Sequence, residues 1–461
     1  MKKYLPPLVL FAGVFLSSLL FMRYTLQFQE CDGFFAWTPD YFRSVFSHPF
    51  PLSRVLTDFQ TQFYRLSLFA PFILALETVG VYFLLKGILS RLGWQSPLLC
   101  MAGAVAVWYA SALSPTSLPL VAALLCLLPL WIVALFFRRR EASLAISRDF
   151  QLSIVLVAVA VGAVALTPSV RHTEKWDRVK NALVYQKWDA LVSKTSPRAV
   201  EKDHELMPFV ALALGESGEL GDQLFTYPVI GENDLDMCDE NDYYNSLFYR
   251  FLLYQHLNCP NEAIHNLFQL TVLQEHGTSF LVLRQLVQEY YKMGDYSMVD
   301  KYCQILDRSS LHGKFTRYFR QLVSEGEAAP ETDTATRSTM PVMSRNPLQN
   351  LFLLQSQGLQ APTFLDRLLC TLLLQRKLEL FAQTLEANAD RYQTIPKHYQ
   401  EALAVYFQEF GIPVFMYPVL PDPPVLGRFN RFYGALSIEG NREQQQAEFG
   451  NTYWFYYYYL E

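Results

Sequence analysis

A chain of 461 residues with 51% apolar and only 18% charged side chains is more hydrophobic than an ordinary soluble protein and far too hydrophobic to be disordered. The charge is uneven: residues 1–167 hold 12 Lys/Arg against 7 Asp/Glu, and residues 168–461 hold 26 against 36. An acidic C-terminal region of that size argues against nucleic acid as a partner and is repelled by anionic head groups.

In chain order, five apolar segments approach the length of about 20 residues that a bilayer crossing needs. They fall near residues 5–22, 66–89, 97–113, 118–137 and 152–166. The first lacks a small-residue cleavage site before Arg23 and reads as an uncleaved anchor rather than a signal peptide. Lys2, Lys3, Lys86, Arg91 and Arg138, Arg139, Arg140 with Arg148 gather at one set of ends, while residues 114–117 at the other are uncharged. The excess of Lys and Arg on the cytoplasmic side then puts the N-terminus inside and residues 168–461 outside, in the periplasm of a cell with two membranes.

The external loop 23–65 is dense in aromatic residues, as a bilayer interface favours. Its stretch 52–64 repeats Leu56, Phe59 and Phe63 at helical spacing and suits a helix in the membrane plane or a re-entrant cap on the spans. Two features of this half could carry chemistry. Glu30 and Asp32 follow the first span, where a polytopic enzyme acting on a lipid-linked sugar would place a catalytic acid; solvated loop acids are the default. Glu77 falls near the middle of the second span, where an ionisable group is costly. A hydrogen-bonded packing residue is the simpler reading than a transport site, because no partner carboxylate lies at its depth.

Beyond Thr167 and Pro168 the periodicity becomes that of amphipathic helices broken at regular turns, notably 215–218, 257–261, 293–296 and 375–377. Residues 168–323 form a front set of helical repeats, 324–346 a flexible linker poor in large apolar groups, 347–411 a rear set, and 412–461 a Pro-rich and aromatic terminal segment. Tyr290, Tyr291, Gly294 and Tyr296 mark the clearest helix–turn–helix, and a groove of stacked hairpins would bind there. The acids between Glu232 and Asp242 lack the central glycine of a calcium loop and read as a solvated turn. The aromatic run at 452–460 is expected to pack back onto the last hairpin. The seven cysteines form no CxxC and none stands beside His at ligand spacing, so no metal site is expected; a Cys238–Cys259 bridge is the less common alternative to buried free thiols.

Several segments resemble an uncharacterised family of multi-pass inner-membrane proteins from Bacteroidota that carry a tetratricopeptide-like domain. They are Trp188-Asp-Ala-Leu-Val192, Leu212-Ala-Leu-Gly-Glu-Ser-Gly-Glu-Leu220, Gln223-Leu-Phe-Thr-Tyr227, Met293-Gly-Asp-Tyr296, Pro396-Lys-His-Tyr-Gln-Glu-Ala-Leu403 and Gly450-Asn-Thr-Tyr-Trp-Phe-Tyr456. The resemblance implies an envelope location and brings no catalytic residues.

The expectation is therefore an all-α protein, with an N-terminal bundle of about five transmembrane helices and a soluble α-solenoid of degenerate tetratricopeptide-like hairpins. No Walker loop, nucleophile elbow, zinc-protease motif or dinucleotide fingerprint is present, and no cofactor is expected. The leading functional expectation is a non-enzymatic, membrane-anchored scaffold for envelope or exported proteins, with membrane lipid as its second partner. The alternative is an enzyme that processes a lipid-linked glycan with the acids of the first loop.

Overall fold

The computed structural model describes residues 5–94, 96–137, 146–237, 243–326, 347–356, 362–413, 417–436 and 442–460. Among them the regular structure is helical, with no strand. The chain forms two compact units. Unit 1 comprises Met1–Asn181, Thr271–Gln288 and Tyr296–Gly326; unit 2 comprises Ala182–Leu270, Glu289–Asp295 and Glu327–Glu461. Arg138–Arg140, Cys238–Asp242 and all but the first three residues of the expected linker 324–346 lie outside the described residues.

Unit 1 begins with α1 (Leu5–Phe21), α2 (Arg23–Asp32), α3 (Pro39–Phe46), α4 (Pro51–Thr61), α5 (Phe69–Leu92), α6 (Pro97–Ala112), α7 (Leu118–Leu135), α8 (Ile146–Leu166) and α9 (Pro168–Val184). Helix α5 packs on α1, α6 and α7, and α8 packs on α1 and α6. Leu10, Val14, Leu74, Ala75, Ala104 and Val164 fill the interior of this bundle. The outward faces are equally apolar: Leu16, Leu76, Leu130 and Val159 are 52–62% exposed. A helix that is apolar all round needs an apolar surrounding. Where helices approach closely, glycine stands at the contact: Gly13 against Val157, Gly87 against Trp131 and Gly103 against Leu85. Lipid supplies no hydrophobic drive for helices to associate, so close packing at small residues has to provide it.

Each of the five expected apolar segments is a helix, but their lengths differ from the expectation. Helices α5 and α7 are long and apolar enough to cross a membrane alone. Helix α1 passes only with α2, from which it is bent by 75°, and the stretch Gln151–Leu166 of α8 passes together with α9, from which it is bent by 58°. Helix α6 has 16 residues, about 24 Å at 1.5 Å per residue, against a hydrocarbon thickness of about 30 Å. The change of composition at Thr167–Pro168 is therefore a bend inside unit 1, where Pro168 has no N–H to continue the ladder.

Unit 2 is built around Met207–Glu216, of which nine of ten residues are buried. This helix packs on Trp188–Lys194, Tyr243–His256 and Pro362–Leu374, and the short helix Leu220–Gln223 packs on Lys397–Phe410. The last contact is close because residue 221 is glycine: a Cβ there would lie 2.8 Å from Pro396 and 2.9 Å from Tyr399. The early helices of unit 2 thus meet the late ones. In a solenoid each repeat touches only its sequence neighbours, so unit 2 closes on itself where the turn spacing alone predicts a linear stack.

The aromatic terminus behaves as expected. Tyr453–Tyr459 forms a helix against Lys397–Phe410, and Tyr453 and Trp454 are fully buried. Glu401 organises the contact: its carboxylate accepts from the Tyr453 backbone N–H at 2.9 Å and pairs with His398 Nδ1 at 2.8 Å, and its carbonyl accepts from Trp454 Nε1 at 2.9 Å. Trp454→Ala would leave a large void and remove the second hydrogen bond to the Glu401 carbonyl, which keeps its helical one. It is expected to destabilise unit 2 by about 3–5 kcal/mol, read as a lowered denaturation midpoint of the full chain in mild detergent.

Candidate functional site

The site grows from the break after α1. The first N–H groups of α2 have no partner within their own helix, and Glu174 of α9 supplies one: it accepts from the backbone N–H groups of Tyr24 at 3.0 Å and Thr25 at 2.9 Å, and from the Thr25 hydroxyl at 2.9 Å. This cap from a distant helix fixes α2 beside α9. The two helices, with α4, the 112–116 turn after α6 and the 274–276 loop, enclose a cleft of about 480 Å³ within unit 1. Asp32, Asp58, Asp177, Glu275, His276, Gln29, Gln274, Thr25, Thr61 and Thr173 line it, and no Lys or Arg does.

Glu30 and Asp32 take opposite parts. Residues two apart on a helix point roughly 200° apart, so Asp32 reaches the cleft while Glu30 turns inward and is 1% exposed. Arg284 binds Glu30 through both carboxylate oxygens, at 2.5 and 3.1 Å, and His312 Nε2 lies 3.3 Å away. Burial by itself would raise the Glu30 carboxyl, but the Arg284 charge and the hydrogen bonds from His312 and Arg284 outweigh it and hold the group at about 2. Burial and the neighbouring Glu30 push the Cys31 thiol up, which makes it inert. The His312 imidazole is lowered by burial, against the pull of Glu30. Glu30 is therefore a structural anchor with no capacity as a general base, and the acidic pair of the sequence is not a pair in space. Arg284 and His312 lie 254 and 282 residues from it, and no local signal in the sequence links them.

Inside the cleft, Asp58 accepts from the Tyr41 hydroxyl at 2.6 Å and pairs with His276 Nε2 at 3.1 Å. Arg54 and Glu275 form an ion pair beside them. Asp177 is different. Burial pushes its carboxyl up to about 7; Lys180 opposes the rise and the charges of Asp32 and Glu174 add to it. A buried carboxyl titrating near neutrality in a cleft, next to a second acid, is the arrangement from which acid–base and proton-linked binding sites are made. Sequence reading missed Asp177 because it lies in an ordinary amphipathic helix.

The remaining sequence candidates are placed elsewhere. Glu77 is the ninth residue of α5, about 12 Å from its start, nearer the helix end than the sequence placed it. The Gln60 side chain reaches it there, and Gln60 also donates to Ser117 at 2.8 Å. Tyr290, Tyr291, Gly294 and Tyr296 form the turn between Phe280–Met293 and Tyr296–Asp307. Gly294 takes φ 72°, and the N–H groups of Gly294 and Asp295 close the helix on the carbonyls of Tyr291 and Tyr290. Tyr291 is 8% exposed, so it is part of the core and is not available to a groove. The described part of the acidic stretch 232–242 is not a solvated turn: Asp234 is 4% exposed and accepts from the Ile230 and Gly231 N–H groups, with His204 at 2.5 Å. Cys259 is a buried free thiol, and Cys238 lies outside the described residues. Among the described residues no group of three or more His, Cys, Asp or Glu could hold a metal ion.

Fold and site together define a protein that is all-helical among its described residues, with some helices long and apolar enough to cross a membrane and a polar cleft within unit 1. The chain matches the family of unknown function DUF6057 over residues 2–171 and 170–460 and belongs to it. No curated protein and no solved structure matches it.

Two outcomes test the electrostatics. Glu30→Gln or Arg284→Met alone strands a buried partner and should cost about 3–5 kcal/mol. The double replacement Glu30→Leu with Arg284→Met should recover much of that loss, which a double-mutant cycle of denaturation midpoints would measure. For Asp177 the folded carboxyl holds its proton to about 7, well above the ordinary value of 3.8. The native state therefore binds more protons than the unfolded chain between those values, and stability falls as pH rises through 7. Asp177→Asn should raise the melting temperature at pH 8 and leave it nearly unchanged at pH 4.

Proposed function

We propose that the protein is a multi-pass inner-membrane protein that binds a glycan in the cleft of unit 1. In this reading all five apolar helices cross the bilayer, with α1 and α8 ending at their bends and the short α6 crossing where the bilayer thins to match it. The N-terminus is cytoplasmic and the cleft opens on the periplasmic face. Lys86 and Arg91 at one end of α5 and the uncharged 114–117 turn at the other support this orientation. The envelope location and the Bacteroidota source remain what the sequence resemblance implies.

The observation that carries the glycan reading is the chemistry of the cleft lining. Carboxylates accept from sugar hydroxyls, and amides and threonines both donate and accept, so Asp32, Asp177, Gln29, Gln274 and Thr25 match a hydroxyl-rich ligand. The lack of Lys and Arg disfavours a phosphate or other anion. With Asp177 protonated near neutrality and Asp32 beside it, the site also has the acid and base that glycan processing needs, on the terms that glycosidases use. This reading stands ahead of the scaffold because unit 1 holds a built cleft and the helical turn at Gly294 does not line one.

The scaffold reading keeps one observation of its own. Phe268 and Val272, 41% and 82% exposed, lie on one face of Pro260–Leu273 and could seat an apolar segment of an envelope or exported protein on a tetratricopeptide-like hairpin.

Native mass spectrometry of the full chain from mild detergent separates the two. The wild type should carry a bound saccharide mass that Asp32→Asn and Asp177→Asn each reduce by tenfold or more while the chain stays folded. Retention of the same mass by both variants would overturn the glycan reading. Crosslinks from residues 260–273 to a recurrent envelope protein, with no saccharide bound, would put the scaffold in its place.

A further inference from the structure

Helix α4 is built inside out for a water-soluble surface. Its small polar residues Ser53, Thr57 and Thr61 are 2–4% exposed and face the protein. Leu52 and Leu56 are 60% and 44% exposed on the opposite side. At 100° per residue Leu52, Leu56 and Phe59 form one stripe of α4, and Thr57 and Thr61 lie about 140–180° from Leu52. The polar face is occupied: α4 packs on α7, and Gln60 donates to Ser117 at 2.8 Å.

The apolar stripe does not stand alone. Phe46 and Phe50 precede it, 56% and 59% exposed, and Leu66, Leu68 and Phe72 follow it, 62%, 59% and 46% exposed, running onto the outer face of α5. Helix α5 is itself long and apolar enough to cross a membrane. An exposed apolar band of this extent marks an interaction surface. Its continuity along the chain with the exposed apolar face of a helix of membrane-spanning length points to the occupant, since lipid over Phe72 on α5 would extend to Leu66 and Leu56.

We propose that α4 lies in the plane of the membrane interface at the outer leaflet, with lipid covering its Leu52 and Leu56 face and the cleft behind it. The same helix carries Asp58 and Thr61 on the cleft side, so it is a wall shared by lipid and cleft. Resting on the glycan reading above, this makes the ligand an amphiphile, a glycan borne on a lipid, whose head group enters past α4 while its chains stay in the leaflet. A water-soluble sugar would need no such wall.

The test places a nitroxide at Leu52→Cys or Leu56→Cys in the full chain, reconstituted in palmitoyl-oleoyl phosphatidylcholine nanodiscs, with the labelled parent chain subtracted. Tyr318→Cys, at a position 58% exposed in a polar helix, serves as the aqueous reference. Labels at 52 and 56 should collide several-fold more with oxygen than with a polar nickel chelate, and the label at 318 should show the reverse. Nickel accessibility at 52 and 56 equal to that at 318 would overturn the in-plane placement. The mass bound by the wild type then decides the ligand. A saccharide joined to a lipid supports delivery from the leaflet. A free saccharide would overturn delivery while leaving the glycan reading intact.

Discussion

Unit 1 depends on one buried ion pair. Glu30 and Arg284 are nearly sealed from solvent, and each carries a charge that could not remain there without the other. Their bond joins the first helix after α1 to a segment 254 residues later, and the N–H of Phe280 adds a backbone hydrogen bond to the Gly33 carbonyl at 2.9 Å. His312 closes the arrangement, stacked on Phe280 with ring centroids 4.2 Å apart. Lining residues 274–276 lie a few positions before Arg284, so this anchor sets one wall of the cleft. Glu174, capping α2 from α9, sets the other.

Three carboxyl environments follow from that scaffold. Glu30 is neutralised by a permanent cation, Asp58 is satisfied by a phenol and an imidazole, and Asp177 is desolvated without a matching cation strong enough to restore its charge. The same functional group thus serves as anchor, hydrogen-bond node and titrating acid within one small region. Burial raises a carboxyl and a close cation lowers it, and the balance decides each role. Asp177 is the carboxyl whose balance falls near neutrality.

Unit 2 obeys a different economy of packing. Its centre is a helix buried on nearly every side, and its aromatic terminus is held by Glu401, which satisfies groups on two helices at once. An exposed run of seven aromatic residues would be an aggregation hazard; folded back, it becomes part of the core.

The residues themselves determined the helical class, the positions of the five apolar helices and the fate of the aromatic terminus, because hydrophobic periodicity and run length are local properties. They also placed Asp32 among the candidate acids. Tertiary structure alone decided the rest. Helix α6 proved short and α1 and α8 ended in bends, since a break of one or two residues scarcely changes average hydropathy. The regular turns of the second half suggested a linear stack, yet Gly221 lets an early helix meet a late one, a contact that no spacing encodes. Glu30 read by default as a solvated loop acid, and folding buries it against Arg284 and His312 from more than 250 residues away. Asp177 drew no notice in the sequence, and folding removed its water. Ion pairing and desolvation are properties of neighbours in space, and a sequence records only neighbours along the chain.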